Sequence, residues 1–136
     1  MNVYKIIIIE NDEDEQFFMR ESFEKSGLFQ ILAMTRNGNE LFDWLTRHPI
    51  VIPELFLSDL NMPGKNGYDI IEEVKAHPVY SGIPVVITST SSTPAIINKC
   101  LDKGAADYLV KPDTFIEYDS YVKALYQRIE EKQLVK

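Results

Sequence analysis

At 136 residues the chain is sized for one domain with one core, and its 45% apolar and 26% charged composition belongs to a globular protein rather than a disordered or fibrous one. A net charge of −7 with no basic stripe excludes a duplex-DNA binder, because affinity for phosphates comes from lysine and arginine displacing counterions. The lone Cys100 rules out an internal disulfide, and the opening MNVYKIIIIEND has too short an apolar run for a signal peptide or a bilayer span, so a cytoplasmic protein is expected.

In chain order, a buried strand is expected at Tyr4 to Ile9, followed by a helix carrying Phe18, Met19, Ser22 and Phe23 and closed by Gly27. A second strand, Phe29 to Met34, leads to a helix with Leu41, Phe42 and Leu45. A third strand, Leu55 to Leu57, follows Pro53 and precedes a helix with Ile70, Ile71 and Val74. The fourth strand, Val85 to Ile87, follows Pro84. Its helix carries Ile97, Cys100 and Leu101 and ends at Gly104. After a fifth strand, Tyr108 to Val110, a long helix closes the domain with Tyr118, Tyr121, Val122, Leu125 and Ile129 at helical spacing. Five βα units with nearly all-apolar strands predict a doubly wound α/β fold, a parallel sheet covered on both faces by right-handed crossovers.

Such sheets bind ligands beyond the carboxyl ends of their strands, so the residues just after each strand are the candidates. These are Glu10-Asn11-Asp12, Asp59, Ser89-Thr90 and Lys111-Pro112. Acids from two neighbouring strand ends repel unless a proton or a cation neutralises them, and Mg2+ suits an open oxygen-lined site needing only one or two carboxylates. A carboxylate beside such a cation can attack phosphorus to form an acyl phosphate. Lys111 and the Ser89 hydroxyl would then take charge on the transferred oxygens.

With those residues in place, the chain resembles the receiver domain of two-component response regulators along essentially its whole length. FLSDLNMPGKNGYD is similar to the family's phosphoacceptor motif, IPVVITSTSS to its fourth strand, and AADYLVKP to its fifth. The resemblance implies a flavodoxin-like (βα)5 domain over residues 1–136 with strand order 2-1-3-4-5 and no output domain. It implies Asp59 as phosphoacceptor, Ser89 as switch hydroxyl, Tyr108 as switch aromatic, Lys111 as the site lysine, and a cis peptide before Pro112. The implied Mg2+ ligands are Glu10, Asn11, Asp12, Asp59 and Asn61, the last through its backbone carbonyl. KIIIIENDEDE departs from the pattern by placing Asn11 where the family has a second acid, so weak Mg2+ binding is expected.

The resemblance further implies a sensor histidine kinase or histidine phosphotransfer protein as donor and a protein as downstream partner. No membrane or direct nucleic-acid contact is expected, and the chain is expected to be a monomer or weak dimer. It would catalyse only its own phosphorylation and dephosphorylation. Two alternatives stand beside this switch. A haloacid-dehalogenase-like phosphatase also uses an aspartate nucleophile, but its usual second aspartate is Asn61 here. A phosphorylation-independent adaptor has only Asn11 in its favour. Ser91, Ser92 and Thr93 read as a helix-capping loop before Pro94, His48 and His77 as helix-end residues, and Cys100 and Trp44 as packing.

Overall fold

The computed structural model describes residues 2–136; Met1 lies outside them. Five parallel strands, β1 (Tyr4–Ile9), β2 (Phe29–Thr35), β3 (Leu55–Asp59), β4 (Val85–Ser89) and β5 (Asp107–Val110), form one sheet in the order β2-β1-β3-β4-β5. Helices α1 (Glu13–Ser26), α2 (Gly38–Arg47), α3 (Gly67–Ala76), α4 (Pro94–Lys103) and α5 (Tyr118–Lys132) connect and cover them, and a 3-10 turn, Phe115–Glu117, leads into α5. This is the expected doubly wound, flavodoxin-like arrangement.

Strand alternation divides the core in two. Ile7, Ile9, Phe56, Val85 and Ile87 pack with Leu41, Leu45, Ile70, Ile71, Val74 and Cys100 under α2, α3 and α4. Ile6, Ile8, Leu55, Leu57 and Val86 pack with Met19, Phe23, Tyr121, Val122, Leu125 and Ile129 under α1 and α5. The stripe expected on the last helix is therefore its buried face. Leu101, grouped with Cys100 in the sequence, is 42% exposed instead. Helix α4 buries only Cys100 fully, whereas α2 and α3, of the same length, bury three and four residues, so α4 is the least embedded of the three helices on its face.

Helix ends follow the sequence signals. Gly27 and Gly104 take left-handed φ values of 69° and 113°, and each returns its N–H to carbonyls of the last helical turn. Thr93 stands at the N-terminus of α4 without a side-chain cap, while the Ser91 hydroxyl accepts the Thr93 N–H at 3.2 Å. His48 and His77 close α2 and α3 through their backbone N–H groups. Trp44 is half-buried and stacks on His48 at 4.1 Å. Among the described residues no peptide bond is cis, so the bond before Pro112 departs from the family's usual form. Among the described residues no helix is long and apolar enough to cross a membrane.

Candidate functional site

Asp59 and Ser89 are the last residues of their strands rather than the first residues of loops. Asp59 lies level with Thr88 and Ser89 with Val110 in the parallel ladder. Both backbones are thus held by sheet hydrogen bonds that do not depend on side-chain polarity, which places the side chains on a rigid element. The loop after Asp59 is fixed as well. Leu60 and Met62 point into the core, the Gly67 N–H donates to the Leu60 carbonyl at 2.9 Å, and Asn66 and Asp69 form a reciprocal capping box on α3. Gly67 is required for close approach: a Cβ there would stand 2.9 Å from both the Asp59 carbonyl oxygen and the Leu60 Cα.

At the carboxyl edge, Lys111 reaches in from the end of β5 with its side chain only 6% exposed. Its Nζ lies 2.8 Å from Glu10 Oε1, 2.7 Å from Glu15 Oε2 and 3.3 Å from Asp59 Oδ1. Asp59 Oδ1 also accepts the Leu60 N–H at 2.9 Å, and Glu10 Oε2 accepts the Asp12 N–H at 3.0 Å. Burial raises the Asp59 carboxyl above the ordinary aspartate range, against the pull of Lys111. Glu10 rises for the same reason. Burial by itself would lower the Lys111 ammonium, but Glu10, Asp59 and Glu15 more than offset it, and the net shift is upward. The lysine therefore stays charged and stands for the positive charge the acids require.

The other predicted residues are distributed around this centre. Asn11 and Asn61 are exposed beside it. The Asp12 carboxylate is directed to the Glu15 N–H at 3.0 Å as the cap of α1, so its side chain is turned along the helix. Among the described residues, no three His, Cys, Asp or Glu side chains gather as a metal-ligand cluster. The Ser89 hydroxyl accepts the Ser91 N–H at 3.2 Å, and Tyr108, buried rather than displayed, donates its hydroxyl to the Ser91 carbonyl at 2.8 Å. On the opposite face of β4, Thr88 Oγ1 accepts from the Tyr121 hydroxyl at 2.7 Å and donates to the Leu109 carbonyl at 2.8 Å.

Sequence reasoning missed Glu15, Tyr118 and Thr88. Tyr118 donates its hydroxyl to Glu15 Oε2 at 3.1 Å from the buried face of α5. The pattern Asp12-x-x-Glu15 is a capping-box signature, and it conceals a glutamate whose side chain serves elsewhere.

Fold and site together define a class: a doubly wound α/β domain with a buried acid–lysine centre at the carboxyl edge of its sheet. The chain belongs to the response regulator receiver domain family, whose model matches residues 6–123 and so takes in every residue of this centre. Among curated relatives, the two-component response regulator ARR9 of Arabidopsis thaliana is 42% identical over 65 residues, 48% of this chain and 28% of that protein. The two-component response regulator ORR11 of Oryza sativa subsp. indica is 35% identical over 88 residues, 65% of this chain and 58% of that protein. The matches thus span less than two thirds of these relatives' lengths. Among solved structures, the phosphorylated cyanobacterial phytochrome response regulator RcpA superposes with a TM-score of 0.81 at 25% identity, covering 95% of each chain. A receiver domain from Rhodospirillum rubrum superposes with a TM-score of 0.79 at 28% identity, covering 93% of this chain and 94% of that one.

Proposed function

We propose that this receiver domain is a phosphorylation-dependent switch in which Asp59 accepts a phosphoryl group from a sensor histidine kinase or histidine phosphotransfer protein. The observation that carries this is the Asp59 carboxylate at the end of the central strand, 3.3 Å from the Lys111 ammonium and next to Glu10 through that same lysine. An Asp59 carboxylate oxygen forms the bond to phosphorus as the phosphorus–nitrogen bond to the donor histidine breaks, the electron pair leaving with the imidazole. Lys111 and the Ser89 hydroxyl are the groups of this chain placed to take up charge on the transferred oxygens. That RcpA was crystallised phosphorylated supports the reading.

The donor set fits a hard divalent cation: Glu10 and Asp59 are buried carboxylates whose charge burial opposes, and all the candidate atoms are oxygens. Glu10, Asp59 and the Asn61 carbonyl would hold Mg2+, with Asn11 or Asp12 completing the set. Bound Mg2+ would neutralise charge on the phosphoryl oxygens. With an amide at Asn11, binding is expected to be weak.

Drawing the Ser89 hydroxyl to a phosphoryl oxygen frees the Ser91 N–H, and the Ser91 carbonyl is the acceptor of Tyr108. The loop before α4 and the Tyr108 ring are thereby linked to the charge on Asp59, which is a route for the switch to reach the α4, β5 and α5 surface and a downstream protein. Incubation with acetyl phosphate and MgCl2, followed by intact mass, tests the assignment. One added phosphoryl group is expected, and it is lost in Asp59→Asn. An adduct that survives that substitution refutes the site.

A further inference from the structure

Glu15 makes the shortest of the three contacts to Lys111, yet it lies on α1 rather than at a strand end. It occupies the third position of a helix capped by Asp12, where a glutamate ordinarily folds back onto the N-cap N–H. That N–H goes instead to Glu10 Oε2, and Glu15 Oε2 takes the Lys111 ammonium and the Tyr118 hydroxyl. Tyr118 is 2% exposed and sets its ring edge against Tyr121 at 5.2 Å, so the core of α5 aims this carboxylate.

The Lys111 ammonium donates a hydrogen bond to Glu10 Oε1, and Glu15 Oε2 and Asp59 Oδ1 stand around Nζ as ion-pair partners at 2.7 and 3.3 Å. A phosphoryl oxygen arriving at Asp59 competes with these carboxylates for the ammonium, and Glu15 is the one that draws it toward α1. Glu15 also adds negative field at Asp59, since both carboxylates contact the same Nζ. Both effects oppose the approach of an anionic phosphodonor. Acidic first-turn residues are otherwise explained by the helix dipole, but a dipole role calls for no contact with Lys111 or Tyr118.

Building on the assignment of Asp59 as phosphoacceptor, we propose that Glu15, aimed by Tyr118, is a positioning residue that holds Lys111 toward α1 and brakes phosphoryl transfer. The test uses the full chain, acetyl phosphate and saturating MgCl2, with the rate of adduct formation at Asp59 read by intact mass. In that reaction the Asp59 oxygen bonds to phosphorus, and acetate leaves with the electron pair of the broken phosphorus–oxygen bond. Glu15→Gln keeps an oxygen acceptor and removes the charge. It should accelerate transfer about three- to tenfold, the scale of one charge acting over a few ångströms at a high effective dielectric. Tyr118→Phe removes the hydroxyl that aims Glu15, whose side chain is 22% exposed and free to turn toward water, and should accelerate transfer by less than Glu15→Gln, an effect that disappears in the Glu15→Gln background.

A residue that served structure alone would give no acceleration. Wild-type chain labelled at Asp59 together with an E15Q rate equal to or below wild type overturns the brake and leaves the phosphoacceptor assignment standing. Wild-type chain that takes no label at Asp59 overturns that assignment and the brake with it. Should E15Q fail to fold by circular dichroism, Y118F decides: faster transfer at an unchanged unfolding midpoint supports the brake, and an equal or slower rate overturns it.

Discussion

Lys111→Met removes the ammonium from the centre of the site while keeping most of the stem volume. Glu10 and Asp59, with side chains 2% and 12% exposed, then face each other without the lysine that lies within 3.3 Å of both. Taking away one partner of a buried ion pair costs about 3–5 kcal/mol, because the remaining charge stays desolvated. Glu15 is 22% exposed and can turn toward water, which places the expected loss near the lower bound, about 3 kcal/mol at neutral pH. With a urea m value of about 2 kcal/mol/M, the midpoint should fall by about 1.5 M in metal-free buffer. Mg2+ held by the same carboxylates would restore part of this, about 2.7 kcal/mol at a hundredfold excess over Kd. The assay is urea unfolding followed by circular dichroism, with EDTA and with MgCl2. A variant as stable as wild type in EDTA would refute the view that Lys111 neutralises a buried acid cluster. A loss that Mg2+ leaves untouched would refute the cation site.

Asp107 makes a two-pronged contact with Arg128 at 2.6 and 2.8 Å and accepts the Tyr108 N–H, and these outweigh burial to hold its carboxyl below the ordinary range. A depressed folded-state pKa contributes stability above the unfolded value, near 3.9, and loses it as pH falls through the folded one. Asp107→Asn should therefore cost about 2 kcal/mol at pH 7 and progressively less below about pH 4, measured by urea unfolding across that range. Gly67→Ala should lower stability by about 1–3 kcal/mol and slow labelling of Asp59, since the new Cβ meets backbone at 2.9 Å on the acceptor loop; unchanged unfolding and labelling would contradict the fit. Addition of beryllofluoride should raise hydrogen exchange in residues 90–93 of wild type, and Ser89→Ala should abolish that change while still accepting a phosphoryl group.

Periodicity exposed the architecture because each strand is an apolar run and each helix has a stripe, so the order of elements needed no tertiary information. Strand ends were harder. The apolar runs stop at Leu57 and Ile87, whereas pairing continues through Asp59 and Ser89, because backbone groups bond regardless of what the side chain is. The fifth strand, expected from Tyr108, begins one residue earlier at Asp107, whose backbone pairs with Val86 and whose carboxylate is satisfied by Arg128 from α5. Asp59, Ser89 and Lys111 were legible as residues at strand ends. Glu15 was not, since a local capping pattern accounts for it fully until the fold brings Lys111 and Tyr118 to its side chain.

The two side chains that end β4 are restrained so differently that the proposed phosphoryl charge at Asp59 would be felt on one face of the sheet and not on the other. Thr88 faces α5 and is tied on both sides, to Tyr121 and to the Leu109 carbonyl, by bonds of 2.7 and 2.8 Å within the core. The Ser89 hydroxyl faces the α4 side and, among the described residues, has the Ser91 N–H at 3.2 Å as its one hydrogen-bond partner, near the long limit for such a bond. Exchanging that weak contact for a charge-assisted bond to a phosphoryl oxygen is favourable, whereas moving Thr88 would strand a buried hydroxyl. The strand end can thus respond on one face while the other stays fixed. Because Tyr108 is fastened to the Ser91 carbonyl, a response at Ser89 would run toward α4 and β5, while the Tyr121 hydroxyl ties α5 to Thr88 on the other face.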